Sequence, residues 1–356
     1  MRLLFLSDAR SFHTKRWVDY FVNRGYESHL FSMEKSQGTK AYEIFVPPKT
    51  EYSFLKYILA LPQLKKIIKE IEPDLVNAHF IPNYGLLGTL SKRKPLVVSA
   101  WGSDVLVSSK KSFFHRTRTK YVLSKADLVT CDGVTLTTEL LHLDVPKEKI
   151  VQVPMGVDQN LLIERRNSFE SKEDIVILST RSLESVYDLK TLIEAVPLII
   201  QKTDKKTKFW ITGLGSQDQE LKKLASKLRV ERNVEFKGYV NREDLEELFQ
   251  KADLYISTSL SDSTSVSLLE AMASGLLPVV TDIPGNREWL QNGKNGFLFP
   301  PGNYQALADK VIWVINNFKE TEKLRAENQK IIREKALWEK NVAFVEQRFL
   351  ELLRKT

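Results

Sequence analysis

Apolar residues along this chain fall into short runs separated by longer stretches with helical spacing. In the first half RLLFLS, ESHLFS, DLVNAHF, PLVVSAW, DLVTC and KIVQVP predict strands. KRWVDYFVNRG, FLKYILALPQLKKIIKEI and FFHRTRTKYVLSKA predict helices between them. The second half repeats the alternation. DIVILST, KFWITG, NVEFKG, ADLYIST and LLPVVT read as strands with amphipathic helices between, and residues 304–356 read as helices. Alternating strands and helices argue a parallel, doubly wound α/β sheet in each half. The polar, aperiodic segment NLLIERRNSFESK, 160–172, is the expected linker. No solenoid-period repeat and no low-complexity tract interrupts the pattern.

The densest chemistry lies between Ala252 and Gly302, ADLYISTSLSDSTSVSLLEAMASGLLPVVTDIPGNREWLQNGKNGFLFPPG. LYIST predicts a strand, SLSDSTS a loop of small hydroxyl residues, VSLLEAMASG a helix that stops at Gly275, and LLPVVT another strand. A helix N-terminus presents unpaired N–H groups and about half a positive charge, so a phosphate binds there readily. Ser263, Thr264, Ser265, Val266 and Ser267 would wrap such an anion mainly through backbone N–H groups. Two carboxylates flank the place, Asp262 in the loop and Glu270 in the helix. A carboxylate is of no use to an anion, but it accepts hydrogen bonds from the paired hydroxyls of a sugar or ribose. The implied ligand has a diphosphate and a polyol: a nucleotide sugar. Plainer readings exist. Ser267-Leu-Leu-Glu270 fits a capping box, and a Ser/Thr-rich loop with Asp262 fits an ordinary turn.

An acid, seven residues, Glu inside LLEAMASG and then the PGNREW loop with Glu288 resembles the C-terminal domain of family 4 glycosyltransferases, retaining enzymes of the GT-B fold. The likeness runs through most of the chain and is strongest from about Ile175 to Leu307. It implies two doubly wound, Rossmann-like domains facing a central cleft. Residues 1–160 would bind the acceptor and 161–337 the nucleotide sugar. A last helix, about 338–356, would pack back on the first domain. Ligands of open α/β sheets sit beyond the C-terminal strand ends, so the loops after the strands hold the candidates.

The resemblance assigns roles residue by residue. Glu270 would hold the ribose hydroxyls. Asp262, shorter by one methylene than the family's usual Glu, would lie at the donor sugar. Arg181, ending DIVILST, matches the family's Gly-Arg-Leu segment and would contact the diphosphate, although a lone Arg is usually a surface ion pair. Arg181, Asp262 and Glu270 are the expected catalytic set. Tyr187 stands where the family usually has a Lys, and Lys190 is a substitute only if it does not face solvent. Gly213 in WITGLGSQ, with Gly215, suits a tight turn with close backbone approach; the dinucleotide fingerprint is incomplete. Gly238 and Tyr239 in FKGYV match the segment that cradles the base. Glu288 would lie at the donor sugar, or else be a helix-start carboxylate paired with Arg287.

On the acceptor side, Trp101 in SAWGSD occupies the position where the family often has a sugar-contacting His, and Asp104 matches the family's Asp. Trp101 could equally be core packing. His79, ending NAHF, and Arg10 and His13, after the first strand, complete the cleft candidates, with Ala9-Arg10-Ser11 replacing the family's Gly-rich loop. A lone His is more often structural. With no paired Cys, His-x-x-x-His or Asp-x-Asp, no metal and no cofactor is expected. Arg181 and the helix N-terminus would stabilise the charge on the leaving diphosphate.

Length and charge refine this picture. A chain of 356 residues, 42% hydrophobic, suits two packed domains. One cysteine, Cys131, fits a reducing cytosol. MRLLFLSDAR is too short an apolar run for a signal peptide, and no run has the length of a membrane span. A cytoplasmic protein is expected, at most peripheral on the inner face of the membrane. Residues 1–160 carry 23 Lys and Arg against 16 Asp and Glu, and the remainder 30 against 29. All five histidines also lie in the first part. The basic half should meet something anionic. YSFLKYILALPQLKKIIKEI and KKSFFHRTRTKYVLSKA mix basic and aromatic residues, as helices lying on an anionic membrane surface do. The same pattern serves a core-facing stripe with a solvated basic side. The expected activity is metal-independent, retaining transfer of a sugar to a lipid-linked or glycan acceptor. Two other readings are an epimerase of the same fold and a non-catalytic nucleotide-sugar or nucleic-acid binding protein. Nucleic acid is not an expected partner, because the C-terminal half is nearly neutral.

Overall fold

The computed structural model describes residues 1–36, 38–50, 54–163 and 174–355. The expected linker lies outside the described residues from position 164 onward, as do Tyr52 and Ser53. Two compact units are present, Met1–Pro154 with Lys340–Thr356, and Met155–Glu339.

The first unit is built on seven parallel strands: β1 (Arg2–Leu6), β2 (Glu27–Ser32), β3 (Tyr42–Phe45), β4 (Leu75–His79), β5 (Leu96–Ser99), β6 (Leu128–Cys131) and β7 (Ile150–Gln152). Their order is β3-β2-β1-β4-β5-β6-β7, so the chain winds from the centre to one edge, returns beside β1 and winds to the other. LVNAH of β4 and LVVS of β5 are buried at every position, because helices cover both faces of such a sheet. Leu4, Leu6, Val76, Ala78, Val98 and Val129 share one core cluster. A buried polar line runs across the opposite face of the sheet. Asn77 Nδ2 donates to Ser99 Oγ (2.9 Å), and Thr130 Oγ1 donates to the same oxygen (2.8 Å).

The end of the chain completes this unit. In the helix Trp338–Leu353, Phe349 stacks on Phe21, with centroids 5.5 Å apart and planes 6° apart. Glu346 is buried and accepts from the hydroxyls of Tyr20 (2.6 Å) and Tyr26 (2.7 Å), with Arg24 3.3 Å away. Burial favours its neutral form, but the hydroxyls and Arg24 outweigh that and hold its pKa below the ordinary value.

The second unit has six parallel strands: β8 (Asp174–Ser179), β9 (Lys206–Thr212), β10 (Val234–Gly238), β11 (Leu254–Ser257), β12 (Leu277–Thr281) and β13 (Phe297–Phe299). The order is β10-β9-β8-β11-β12-β13. Residues alternate between two cores, as the period of a strand requires. Ile177, Ile211, Ile256 and Val279 point to one face, and Leu178, Tyr255 and Val280 to the other. Strand order reverses between β8 and β11. The loops leaving these two strands therefore meet at the place where open α/β sheets form their ligand crevice.

Candidate active site

Arg181 follows β8 and the hydroxyl loop follows β11, and their side chains converge. The Arg181 guanidinium donates to Ser265 Oγ (2.7 Å), Ser267 Oγ (2.9 Å) and Asp262 Oδ2 (2.6 Å). The Tyr187 ring lies 4.1 Å from it, and the buried Tyr255 hydroxyl donates to Ser267 Oγ (2.9 Å). Only 8% of Arg181 is exposed. Burial works against its charge, but Asp262, with Tyr255 and Tyr187, more than offsets this and raises its pKa. Thr258 Oγ1 donates to the Tyr187 carbonyl (2.8 Å) and Leu260 N to the Val186 carbonyl (2.8 Å), so the two loops are bound along their length.

Ser265 starts the helix Val266–Ala273, its Oγ accepting from Leu268 N at 3.3 Å. That fixes Leu268 at the third helical position, so Glu270 is not the acid of a capping box. Its carboxylate is instead engaged by Arg242, whose guanidinium also meets Asp158 (3.2 Å) and Glu246 (3.4 Å). Glu270 is 6% exposed and lies just over one helical turn beyond the Ser265 cap.

Three glycines mark close backbone approaches. A Cβ on Gly285 would fall 2.0 Å from the Ser263 carbonyl oxygen and 2.6 Å from that of Asp262. The PGNREW loop thus lies directly against the hydroxyl loop. A Cβ on Gly215 would meet the Leu183 carbonyl at 2.3 Å, and one on Gly213 (φ +118°) the Arg181 carbonyl at 2.7 Å. Gly213 N donates to the Gly238 carbonyl (2.8 Å). Tyr239, next to it, is exposed. Glu288 is half-buried at the C-terminal end of the short helix Pro284–Arg287, not at a helix start, and Arg287 pairs with Asp282 (2.6 Å). Lys190 is exposed and pairs with Glu194 (3.7 Å), so it does not join Arg181.

In the first unit an aromatic cluster collects residues from the end of β4 and from the segments that follow β1 and β5. His13 stacks on Trp101 (5.5 Å, 27°), His79 meets Trp101 edge-on (5.2 Å, 62°), and Trp17 touches both His79 and Trp101. His79 is buried, and its Nε2 donates to Asn77 Oδ1 (2.9 Å). Its Nδ1 has no hydrogen-bond partner among the described residues. Burial drives the His79 pKa down to about 3; burial and then Arg16 drive that of His13 down to about 4. Asp104 is buried and accepts from Ile81 N and Trp101 N (both 3.0 Å), and burial pushes its pKa up to about 6. It anchors the Trp101 backbone. Arg10 is exposed and pairs with Asp8 (2.7 Å).

The model of glycosyl transferases group 1 matches residues 162–331, and that of glycosyl transferase 4-like proteins matches 2–133. This chain belongs to the group 1 glycosyltransferases. It is 25% identical over 346 residues to the putative glycosyltransferase EpsD of Bacillus subtilis, covering 90% of this chain and 88% of that one. With the N-acetyl-alpha-D-glucosaminyl L-malate synthase of Bacillus anthracis it shares 22% over 325 residues, 88% of this chain and 84% of the other. Among solved structures, Anabaena HepE in complex with UDP superposes with a TM-score of 0.81 at 20% identity, each chain covered in full. Sucrose-phosphate synthase from Thermosynechococcus elongatus superposes at 0.82 with 14% identity, again over the whole of both chains. The fold is GT-B.

Within this glycosyltransferase the structure brings together Arg181, Asp262, Ser265 and Ser267 in one hydrogen-bonded group, with Glu270 on the same helix. It separately gathers His13, His79 and Trp101. Sequence reasoning missed Arg242, Gly285 and Tyr255. One signal for Arg242 was available: it is a cation at the first position of the helix Arg242–Lys251, where the dipole disfavours positive charge. Among the described residues, no group of three or more His, Cys, Asp or Glu is placed to hold a metal ion.

Proposed function

We propose that this enzyme is a retaining, metal-independent glycosyltransferase that moves a sugar from a nucleoside-diphosphate donor to a lipid-linked or glycan acceptor. The supporting observation is the placement of Arg181 against the capped N-terminus of the helix Val266–Ala273, with Glu270 on that helix. The diphosphate takes the guanidinium and the helix N–H groups. Glu270 takes the ribose hydroxyls, and Asp262 with the Pro284–Trp289 loop takes the sugar. UDP bound to HepE, a protein of the same fold, agrees with such a donor.

In the reaction the bond from the sugar C1 to the phosphate oxygen breaks, and the acceptor oxygen forms its bond to C1 on the same face. The acceptor proton passes to the departing phosphate, so no dedicated base is required and Trp101 can stand where the family often has His. Arg181 stabilises the growing charge on the diphosphate. His13, Trp101 and their neighbours serve the acceptor from the first unit.

A peripheral membrane position fits the exposed aromatic face of that unit. Phe113 is 86% and Phe114 59% exposed, with the Arg118 guanidinium 5.5 Å from the Phe54 ring and 6.0 Å from that of Phe114. No helix among the described residues is long and apolar enough to cross a membrane. Turnover against a panel of nucleotide sugars tests the reading directly. Release of free nucleotide with one of them names the donor, the anomer of the product decides retention, and no turnover with any donor and acceptor overturns the proposal.

A further inference from the structure

Arg242 is expensive where it stands. It opens the helix Arg242–Lys251, whose first turn also holds Glu243 and Asp244, and a cation there opposes the helix dipole. Its side chain is 27% exposed, so a flexible, charged chain has been drawn into a partly dry place. Three carboxylates surround it: Glu270 on the Val266–Ala273 helix, Glu246 one turn along its own helix, and Asp158. The Asp158 segment is tied down in turn, because Val157 N donates to the Ala336 carbonyl (2.8 Å) and Trp338 N to the Val157 carbonyl (2.9 Å). Glu270 is the most buried of the three. A carboxylate at that depth stays ionised and in one rotamer only if something pairs with it.

We propose that Arg242 is a positioning residue for nucleotide recognition, acting through Glu270. It fixes the Glu270 carboxylate, charged and oriented, at the place where it accepts the two ribose hydroxyls, and so sets the preference for a ribose-bearing donor. The inference rests on the reading of Glu270 as the ribose ligand. Arg242 touches no reacting atom. It serves Glu270 as an outer-shell partner serves a ligating side chain, holding its carboxylate in one orientation.

The test measures binding of UDP, GDP and ADP to the full chain and carries forward the tightest, together with its 2′,3′-dideoxy analogue. Arg242→Gln is expected to weaken the ribonucleotide roughly tenfold, the loss of about one charge-assisted bond. The dideoxy analogue, which gives Glu270 nothing to hold, should change by less than about twofold, since the altered interaction acts only on the hydroxyls. Arg242→Lys keeps the charge but loses the planar fork. It should fall between wild type and Gln, and it carries the test if the Gln variant fails to fold. Equal losses for both ligands, or a gain in ribonucleotide affinity, would overturn the inference. Glu270→Gln separates the two levels. If that variant loses ribonucleotide binding while the Arg242 variants do not, the positioning role fails and the ribose reading stands. If Glu270→Gln changes nothing, or if wild type binds none of the three nucleotides, the ribose reading itself fails and the inference goes with it.

Discussion

The Arg181 guanidinium lies 4.1 Å from the ring of Tyr187, which stands at the position where the resemblance to family 4 implies a Lys. An aromatic face brings no positive charge of its own to a phosphate, so in the proposed function Arg181 is the side chain that meets the leaving diphosphate. Arg181→Ala should therefore lower turnover by about two or more orders of magnitude. Arg181→Lys should recover little, because a point charge cannot reach Ser265, Ser267 and Asp262 together. EDTA should leave wild-type turnover unchanged. Activity lost in EDTA and restored by Mg²⁺ or Mn²⁺ would sink the metal-free mechanism.

Gly285→Ala should be a site-specific lesion. The new methyl would sit 2.0 Å from the Ser263 carbonyl oxygen, so the hydroxyl loop must move away from Arg181. The overpacking should cost about 1–3 kcal/mol of stability. Turnover at saturating donor should fall by more than the melting temperature suggests. Gly293→Ala, at a glycine with open space and positive φ, is a control that strains the backbone without touching the loop.

Membrane attachment is testable on residues outside the donor site. Each Lys or Arg near an anionic surface contributes about 1 kcal/mol and fades within a Debye length. The chain should co-sediment with anionic vesicles at low salt, release at high salt and ignore neutral vesicles. Replacing Lys110, Lys111, Arg116 and Arg118 with Ser should weaken this, and Phe113→Ser with Phe114→Ser should weaken it further, with nucleotide affinity untouched. A wild type that stays in solution with anionic vesicles at low salt points to a soluble glycan acceptor.

Acid should destabilise the chain. His79 and His13, with pKa near 3 and 4 when folded, stay neutral in the fold but take up protons on unfolding as pH falls below 6.5, so the stability they contribute is lost as pH falls. Asp104 acts with the opposite sign. Its folded pKa of about 6 lies above the ordinary 3.8, so between these values the folded form holds a proton that the unfolded chain has released. Between about pH 6 and 4 the three groups together leave about one proton taken up on unfolding, a fall of about 1.4 kcal/mol per pH unit. Asp104→Asn removes the opposing proton and should steepen the fall toward about 2.7 kcal/mol per pH unit. Denaturant midpoints measured from pH 7 to 4 read both slopes, and equal slopes for wild type and Asp104→Asn would show that the buried groups do not titrate this way.

Much of this was legible because parallel strands buried on both faces are continuous apolar runs. The two strands absent from the sequence reading are β3 and β13, both at sheet edges and only four and three residues long. Three of the four β3 residues are exposed, so it carries no burial signal. The loop between Asp262 and Ser267 was readable because hydroxyl residues before a helix have a local mechanism. The cap falls on Ser265, two residues before the serine of the apparent capping box, since several serines offered equal starts. Arg242 showed only as a cation at an unfavourable helix position, with no sign of its partner, and Gly285 was not readable. Their roles depend on what another segment brings within reach, a carboxylate 28 positions away for one and a carbonyl 22 positions earlier for the other.

The helix that ends the chain sets an order of events during synthesis. Tyr20 and Tyr26 emerge from the ribosome early, yet their hydroxyls are satisfied by Glu346, and Phe21 waits for Phe349. At about 5–20 residues per second, the second unit is translated and free to fold while the first still lacks its last helix. The first sheet to be made is therefore the last to be finished, and a chain stalled shortly before residue 340 leaves the ribosome with its early aromatic face uncovered.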